Sequence, residues 1–272
     1  MPTVPTVIVG SDSNLTRALA RVLSSVTVVS GRAIAAGTDP LPSSERCDVI
    51  VNAFQPADRL GDLSAPERYV DLAVGVTARV LDRVVGDRVR RLIYTSSASV
   101  YGDNVECRET DRIRASGLHA SLKAANEALV QGVCADRGVD ATVTRVFNVF
   151  GGADRFSVIH KIVDAARSGG TFVLANEGNA IRDFVHVDDV VRSYVALLAG
   201  PPVGIVNVAS GVGVTVRSIL DALALRGVKM KTTNVVRDEI RVSTANVEVL
   251  SRYVDPSEFA RPAPYVLREV GV

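Results

Sequence analysis

The sequence has no tryptophan, only three cysteines and only four lysines among its 272 residues. The cysteines, Cys47, Cys107 and Cys134, are widely spaced and form no Cys-x-x-Cys pair. This spacing excludes a disulfide-rich scaffold and gives no indication of a metal site. We therefore expect reduced thiols in a reducing compartment.

Neither sign of charge is in excess, because 31 lysines and arginines face 30 acidic residues and the formal net charge is +1. Nothing global therefore attracts the chain to nucleic acid or to an anionic membrane, although local basic sites for phosphates are compatible with this balance. The first ten residues contain neither a basic region nor a long apolar stretch. We expect no signal peptide, no transmembrane helix and a cytoplasmic location.

In the first half, short β-branched runs alternate regularly with segments of helical periodicity. The expected strands cover residues 6–9, 26–29, 47–53, 91–96 and 141–147, and the expected helices cover residues 15–23, 66–85 and 118–135. This rhythm predicts an α/β fold with a Rossmann-like, doubly wound parallel sheet. Only a short, proline-containing segment separates Ser30 from Asp48, so we expect one βα unit to be abbreviated there.

The second half is less regular and predicts a smaller C-terminal lobe. Its helical segments are residues 158–167, 187–198 and 216–225, and its extended segments are residues 171–174 and 204–208. We place the core in residues 1–152 and the lobe mainly in residues 153–272, with residues 185–210 returning to the core.

Three segments carry a resemblance to a known family. Residues 94–102 are Tyr-Thr-Ser-Ser-Ala-Ser-Val-Tyr-Gly, residues 145–151 are Arg-Val-Phe-Asn-Val-Phe-Gly, and residues 178–190 begin Gly-Asn-Ala-Ile-Arg-Asp-Phe. They resemble, in the same order, the strand-end signature, the RPxNVYGP stretch and the GxxxRDFxxVxD segment of the extended short-chain dehydrogenase/reductases, the NAD-dependent nucleotide-sugar epimerase/dehydratase family. The resemblance covers nearly the whole chain. It implies a dinucleotide-binding core and a nucleotide-sugar-binding lobe.

The resemblance also implies the residues that bind substrate. Ser97 matches the family's catalytic serine and Ser99 a substrate-facing hydroxyl, and Asn148 matches the asparagine that contacts the substrate pyrophosphate. Arg182 matches the arginine that pairs with a substrate phosphate, a task suited to a planar guanidinium. Arg237 lies roughly where the family has a second phosphate arginine.

The strand-end serines and Arg182 also have a purely structural interpretation. The serines at the strand end would then only cap a turn. Arg182 would form an ion pair with Asp183 or Asp188, and Asp188 would serve as a helix cap.

The family's GxxGxxG turn is altered here to Gly10, Ser13 and Thr16. We expect Ser13 to accommodate or even donate to a phosphate, and Thr16 to push the helix away from the strand by about one methyl group. The helix N-terminus still favours anions, so dinucleotide binding is expected to be retained but weakened. The expected cofactor-binding residues are Gly10, Ser13, Asn14, Leu15, Ser30, Arg32, Asn52, Ala53, Phe54, Lys123 and Val146.

At the end of the second expected strand, Ser30 stands where the NAD-using pattern places an acidic residue, and Arg32 follows closely. Loss of the carboxylate and gain of a cation favour a 2′-phosphate, and hence NADP over NAD. In the alternative interpretation, Arg32 is a solvated loop charge.

The family's catalytic Tyr-x-x-x-Lys is replaced by His119 and Lys123, which would lie one helical turn apart. An imidazole titrates near neutrality, but a neighbouring ammonium group favours its neutral form. His119 is therefore a substitute acid, a binding residue or the relic of a lost activity. In each case Lys123 is expected to hold the nicotinamide ribose.

The first functional hypothesis is an NAD(P)-dependent enzyme that reduces or epimerises a nucleotide-activated 4-keto-sugar, with Ser97 polarising the oxygen and His119 relaying the proton. We disfavour 4,6-dehydration because Ala98 and Ser99 follow Ser97, where dehydratases have an acidic pair. The second hypothesis is a nucleotide-sugar-binding or regulatory protein without turnover. A third, weaker one is a lyase or isomerase that uses the cofactor transiently. By analogy with the family we also expect a homodimer.

Overall fold

The computed structural model describes residues 4–38, 41, 46–52 and 64–272. Within these ranges the strands are β1 (Thr6–Val9), β2 (Val26–Val29), β3 (Cys47–Val51), β4 (Val89–Ser97), β5 (Asn104–Cys107), β6 (Asp140–Val146), β7 (Asn148–Phe150), β8 (Thr171–Ala175), β9 (Ile181–His186), β10 (Ile205–Val208), β11 (Gly213–Thr215), β12 (Lys231–Val235) and β13 (Val242–Ala245). The α-helices are α1 (Asn14–Val22), α2 (Gly31–Ala35), α3 (Pro66–Val70), α4 (Val76–Val84), α5 (Gly117–Asp136), α6 (Val158–Ser168), α7 (Val187–Ala199), α8 (Val216–Leu225) and α9 (Pro262–Val270).

The main sheet has the order β10-β6-β4-β3-β1-β2, and all of its pairings are parallel. Its strands alternate their side chains between two apolar layers. Val7 and Val9 pack in one layer with Val80 of α4, whereas Ile8 packs in the other with Leu19 of α1. Helices thus cover both faces, and the predicted Rossmann-like α/β fold is confirmed.

The connection between β2 and β3 is short, as predicted. Its described part contains only the five-residue α2, and β2 is the outermost strand of the sheet on that side among the described residues. The usual fold would place a further strand there.

The lobe has its own apolar core and smaller sheets. β11, β9, β13 and β5 form one sheet, β7 also pairs with β9, and β8 pairs with β12. The core includes Phe150, Ile159, Phe172, Phe184 and Ile219. In contrast, β10 and α7 pack with the main sheet, which is where the chain returns after β9. No helix among the described residues is long and apolar enough to cross a membrane.

The helix expected over residues 66–85 is interrupted by a π-helical segment, Asp71–Gly75, between α3 and α4. The Ala73 carbonyl there accepts hydrogen bonds from Thr77 Oγ1 and from Asn126 Nδ2 of α5, both at 2.9 Å. The irregular turn therefore anchors α5 to the layer of helices beside the sheet.

Gly151, after β7, is expected to be intolerant of any side chain. Its φ is +86°, and a Cβ atom would lie 2.0 Å from Nε2 of the buried His186. Gly151→Ala should lower the free energy of unfolding by about 3 kcal/mol, since it combines backbone strain with overpacking.

Gly169→Ala is the matched control in chemical denaturation, because Gly169 has a φ of +66° but open space around its Cα. This substitution should lower the free energy of unfolding by about 1 kcal/mol. If both variants lost the same free energy of unfolding, the contact with His186 would contribute nothing to the cost of Gly151→Ala.

Candidate active site at the carboxyl edge of the main sheet

The parallel register brings the predicted cofactor residues to one edge of the main sheet. Val9 pairs with Val51, and Val51 pairs with Tyr94, so Gly10 and Asn52 follow neighbouring strand ends. Further along the sheet, Ser97 pairs with Val146. Ligands of open α/β sheets bind at this edge.

Gly10 opens the turn between β1 and α1 with a φ of +116°. A Cβ atom here would lie 3.1 Å from the Asn52 side chain, so only glycine fits without displacement. Asn14, the first residue of α1, donates from Nδ2 to the Gly151 carbonyl at 2.9 Å and accepts from the Ala153 amide at 2.8 Å. It therefore links the turn to the loop after β7.

Ser13 and Thr16 bind each other instead of leaving their hydroxyls free. Ser13 caps α1 by accepting from the Thr16 amide at 2.9 Å, and its hydroxyl donates to Thr16 Oγ1 at 2.8 Å. Thr16 is 1% exposed and donates to the Gly10 carbonyl at 2.6 Å. The residue that we expected to push α1 away is thus hydrogen-bonded to the end of β1, and the Ser13 hydroxyl points to Thr16.

The residues expected around the adenosine ribose lie at the end of β2. Ser30 caps α2, accepting from the Ala33 amide at 3.1 Å, and Arg32 is exposed. Leu15 packs against the apolar layer that contains α7. Ala53 and Phe54, also expected to contact the cofactor, lie outside the described residues.

Two polar atoms near the predicted catalytic residues are buried without a hydrogen-bond partner in the described part of the chain. They are Ser99 Oγ and His119 Nδ1. Ser97, the last residue of β4, accepts from the Ser99 amide at 3.2 Å, so it does cap the turn that follows. Buried polar groups without partners are rare, and here they are consistent with a ligand that supplies the missing bonds.

Lys123 is 3% exposed, and its Nζ donates to the Thr95 carbonyl at 2.8 Å. Burial lowers its pKa to about 7, while the nearby Glu127 carboxylate acts in the opposite direction. Burial, followed by the charge of Lys123, lowers the pKa of His119 to about 4. His119 is therefore neutral at neutral pH, as expected, with burial as the larger cause.

This pKa gives Lys123 a measurable signature in the stability of the fold. The folded-state pKa of about 7 is below the ordinary value of 10.5, so the unfolded chain binds more protons in this window. The free energy of unfolding of the wild type should rise with pH relative to Lys123→Met, by a slope that approaches about 1.4 kcal/mol per pH unit. Denaturant unfolding of both proteins from about pH 7 to about pH 9 measures this difference in slope. If the free energies of unfolding of the two proteins changed in parallel with pH, the lowered pKa of Lys123 would be refuted.

A buried ion pair that the sequence did not reveal fixes α5 against the sheet. Arg145 Nη2 of β6 lies 2.8 Å from Glu127 Oε2 of α5, with both side chains at most 3% exposed. Ser96 of β4 also donates to Glu127, and the Arg145 guanidinium lies 4.7 Å from the centroid of the Tyr101 ring. Glu127 is one turn after Lys123, so the pair holds the lysine at the strand edge.

A cavity of about 520 Å³ lies in the lobe, lined by three of the four predicted substrate residues, Asn148, Arg182 and Arg237. Further residues with charged or aromatic side chains also line this cavity. They are Asp154, Phe156, Lys161, Phe172, Phe184 and Glu239. Ser99, the fourth predicted residue, is not part of this lining.

The Arg182 guanidinium is already oriented within this cavity. It lies 3.1 Å from Glu239 Oε2, donates to the Ile181 carbonyl at 3.0 Å and also donates to the Ile240 carbonyl. Burial lowers its pKa, and Glu239 opposes that shift. The ion-pair partner is therefore Glu239, two residues after Arg237, and not Asp183 or Asp188.

The two aspartates have other positions. Asp183 is buried and accepts from the Ser210 amide and hydroxyl at 2.8 and 2.7 Å, and burial raises its pKa to about 6. The expectation that Asp188 caps α7 is wrong: the cap is His186, whose Nδ1 accepts from the Asp188 amide at 3.2 Å. Asp188 instead lies in the first turn of α7, where its negative charge interacts favourably with the helix dipole.

Among the described residues, no group of histidine, cysteine or acidic side chains is arranged to hold a metal ion. The polar side chains at or near this edge of the sheet include hydroxyls, an amide, an imidazole and an amine. Such a set suits hydrogen bonding and proton transfer.

The chain is similar to several known proteins. The chain is 30% identical over 159 residues to 3beta-hydroxysteroid-dehydrogenase/decarboxylase isoform 2 of Arabidopsis thaliana, covering 54% of this chain and 28% of that protein. It is 26% identical over 177 residues to UDP-glucose 4-epimerase of Streptomyces lividans, covering 58% of this chain and 54% of that protein. The chain thus spans about half or less of the length of these curated relatives.

The solved structure of MoeE5 in complex with UDP-glucose and NAD has the same fold, with a TM-score of 0.84, 21% identity and coverage of 98% of this chain and 97% of that one. The model of the NAD dependent epimerase/dehydratase family matches residues 13–209, which is more than half of the chain. The chain belongs to the NAD dependent epimerase/dehydratase family.

Proposed function

We propose that this protein is an NAD(P)-dependent enzyme that reduces or epimerises a nucleotide-activated sugar at a 4-keto or 4-hydroxyl carbon. The observation that carries the proposal is the continuity of its two sites. Asn148, in the wall of the lobe cavity, is two residues beyond Val146, which pairs with Ser97 at the sheet edge. A ligand with its phosphates in the cavity therefore has its sugar end near the strand-end hydroxyls.

The residues present fit a nicotinamide dinucleotide. The backbone of Gly10 leaves a space that a Cβ atom would fill, and the N-terminus of α1 favours the pyrophosphate. Lys123 would hold the nicotinamide ribose, and the exposed Arg32 favours a 2′-phosphate, hence NADP. When bound, the nicotinamide supplies hydride donation and acceptance.

The chain's own residues orient the sugar and move its proton. Ser97 and Ser99 offer hydroxyls to the reacting oxygen, and Ser99 Oγ lacks another partner in the described residues. The neutral His119 relays a proton between that oxygen and its surroundings, and its unpartnered Nδ1 is the atom that accepts it. Lys123, with a pKa of about 7, is poised to exchange a proton near neutral pH.

The lobe cavity is proposed to bind the nucleotide diphosphate. Arg182, Arg237 and Lys161 bring positive charge to its lining, and paired guanidinium donors suit phosphate oxygens. We accordingly assign residues 1–152 to dinucleotide binding and residues 153–272 mainly to nucleotide-sugar binding, with Asn148 of the core also in the cavity wall. The relatives named above are proteins described as acting on or binding UDP-sugars or, in one case, steroids.

The second candidate is a nucleotide-sugar-binding or regulatory protein, favoured by one observation. An imidazole with a pKa of about 4 is almost wholly unprotonated at neutral pH and is a poor proton reservoir. In that case the ligand would bind without turnover.

We also infer a homodimer in the cytoplasm. Val70 of α3 is 42% exposed, and Leu118 of α5 is half-buried. The apolar composition of these two segments is compatible with association of two copies by analogy with the family, and the sparse cysteines support a reducing compartment.

Calorimetric titration with NADPH, NADH and a panel of dTDP-, UDP- and GDP-sugars tests the proposal. Binding of NADPH together with a nucleotide-sugar supports the enzyme. Binding of a nucleotide-sugar without either dinucleotide removes the redox chemistry and leaves the binding protein.

A further inference from the structure

The polar side chains beneath the dinucleotide turn, which we define as residues 10–16, form one connected chain of hydrogen bonds. From the turn inward, the chain runs from Thr16 through Asn52 and Thr95 to Tyr194. Thr16, Asn52 and Tyr194 are at most 2% exposed. Water does not reach such groups, so each depends on its neighbours in the chain.

One set of hydrogen positions satisfies all of these contacts. Tyr194 donates to Thr95 Oγ1 at 2.8 Å, and Thr95 donates to Asn52 Oδ1 at 2.7 Å. Asn52 Nδ2 donates to Thr16 Oγ1, and the Thr16 hydroxyl hydrogen goes to the Gly10 carbonyl at 2.6 Å. The chain therefore ends on the carbonyl that opens the turn, and it is complete without a ligand.

The same chain reaches the predicted catalytic lysine. The carbonyl of Thr95 accepts from Lys123 Nζ at 2.8 Å, while its hydroxyl bonds Asn52. Thr95 is thus held from two directions, and a shift of the turn would be transmitted to the strand end that contacts Lys123.

We propose that Thr16 and Asn52 are positioning residues that hold the dinucleotide turn in its ligand-binding shape and fix it relative to Lys123. This proposal rests on the dinucleotide binding proposed above. Where the family pattern has a glycine for close packing of helix on strand, this chain has a hydroxyl that bonds α1 to the end of β1. Restoring that glycine should therefore weaken dinucleotide binding instead of improving it.

Three variants of Thr16 test the proposal. Thr16→Gly and Thr16→Ala leave Asn52 Nδ2 with only Ser13 Oγ, at 3.4 Å, as a hydrogen-bond partner among the described residues. Both should raise the Kd for NADPH about tenfold, because a turn that keeps its ligand-binding shape only about a tenth of the time binds about tenfold more weakly. Thr16→Ser keeps the hydroxyl and should remain within about twofold of the wild type.

Amide hydrogen exchange of the unliganded proteins gives a readout that does not depend on the cofactor. Exchange over residues 10–20 should be about tenfold faster in Thr16→Ala and Thr16→Gly and unchanged in Thr16→Ser. An unchanged exchange rate, or a Thr16→Gly variant that binds NADPH as tightly as the wild type, overturns the proposal.

The two proposals fail in different ways. If the wild type binds neither NADPH nor NADH, the proposed dinucleotide chemistry fails, and the inferred ligand-binding shape fails with it. Hydrogen exchange in the Thr16 variants then still shows whether the Thr16 hydroxyl fixes the turn. If the wild type binds NADPH and the Thr16 variants bind it equally well, only the positioning role is refuted.

Discussion

Replacing His119 with alanine should lower kcat for keto-sugar reduction by about 10²- to 10⁴-fold, the range for loss of a general acid–base group. His119 is the third residue of α5, and its Nδ1 is buried without a partner in the described residues. The Kd for the nucleotide-sugar should change little, because Arg182 and Asn148 are untouched. A protein that only binds would show the same affinity and no activity to lose.

The pair His119→Tyr and His119→Phe isolates the transferable proton, because the two side chains differ by one hydroxyl. His119→Tyr restores the family's residue and should retain turnover, whereas His119→Phe should be as slow as His119→Ala. Turnover in His119→Phe at the wild-type rate would remove His119 from the mechanism.

Near neutral pH, the pH dependence of the wild-type rate should follow Lys123 and not His119. Reduction requires a protonated donor, so its rate should fall as the pH rises above about 7, the pKa of Lys123. Below that value the rate should be level until the pH approaches about 4, the pKa of His119.

Arg182→Met should weaken nucleotide-sugar binding about 100-fold, since two charge-assisted hydrogen bonds to phosphate would be lost. The variant also leaves the Glu239 carboxylate without its partner, 28% exposed in the cavity wall, where it would repel a diphosphate. The Kd for NADPH should be unchanged, because the dinucleotide turn lies in the core.

Arg241→Met is the matched control for that experiment. The Arg241 side chain is 86% exposed and pairs with Asp103 at the surface, so its loss should leave binding within about twofold. Adding Glu239→Gln to Arg182→Met should recover part of the lost affinity. If Arg182→Met binds the nucleotide-sugar as well as the wild type, the cavity does not hold the phosphates through this residue.

Much of the architecture could be predicted from local patterns. The buried β-branched runs before Gly10 and around Ile93 have few alternatives to parallel strands, and their alternation with helical segments indicated the sheet. The π-helical segment, Asp71–Gly75, could not be predicted, because the Asn126 side chain that bonds its Ala73 carbonyl comes from a helix some fifty residues away.

Residues selected from the sequence lie together in part, whereas partners distant in sequence were missed. Asn148 and Arg182 were selected from their motifs and Arg237 from its approximate position, and all three line one cavity. Glu239 was missed, although it is two residues from Arg237, because nothing in the sequence shows that it meets Arg182. A search for acids near predicted phosphate arginines would have found it.

In the altered glycine turn, too, a partner distant in sequence could not be predicted. Thr16 was judged by its volume alone, which predicts displacement of α1 from the strand. Its hydrogen bond to Asn52 depends on the register of β1 and β3, which brings Asn52 beneath the turn. A position that breaks a motif can thus be compensated by a partner that only the folded chain reveals.

We infer above all that this chain carries out dinucleotide-dependent chemistry on a nucleotide-sugar. The most direct test incubates the wild type and Lys123→Met with nucleotide-linked 4-keto-sugars and NADPH, and with nucleotide-hexoses and NAD, and analyses the products by NMR. We predict conversion of at least one sugar by the wild type and little or none by Lys123→Met. Binding of nucleotide-sugars without conversion of any of them would contradict the account and favour the binding protein.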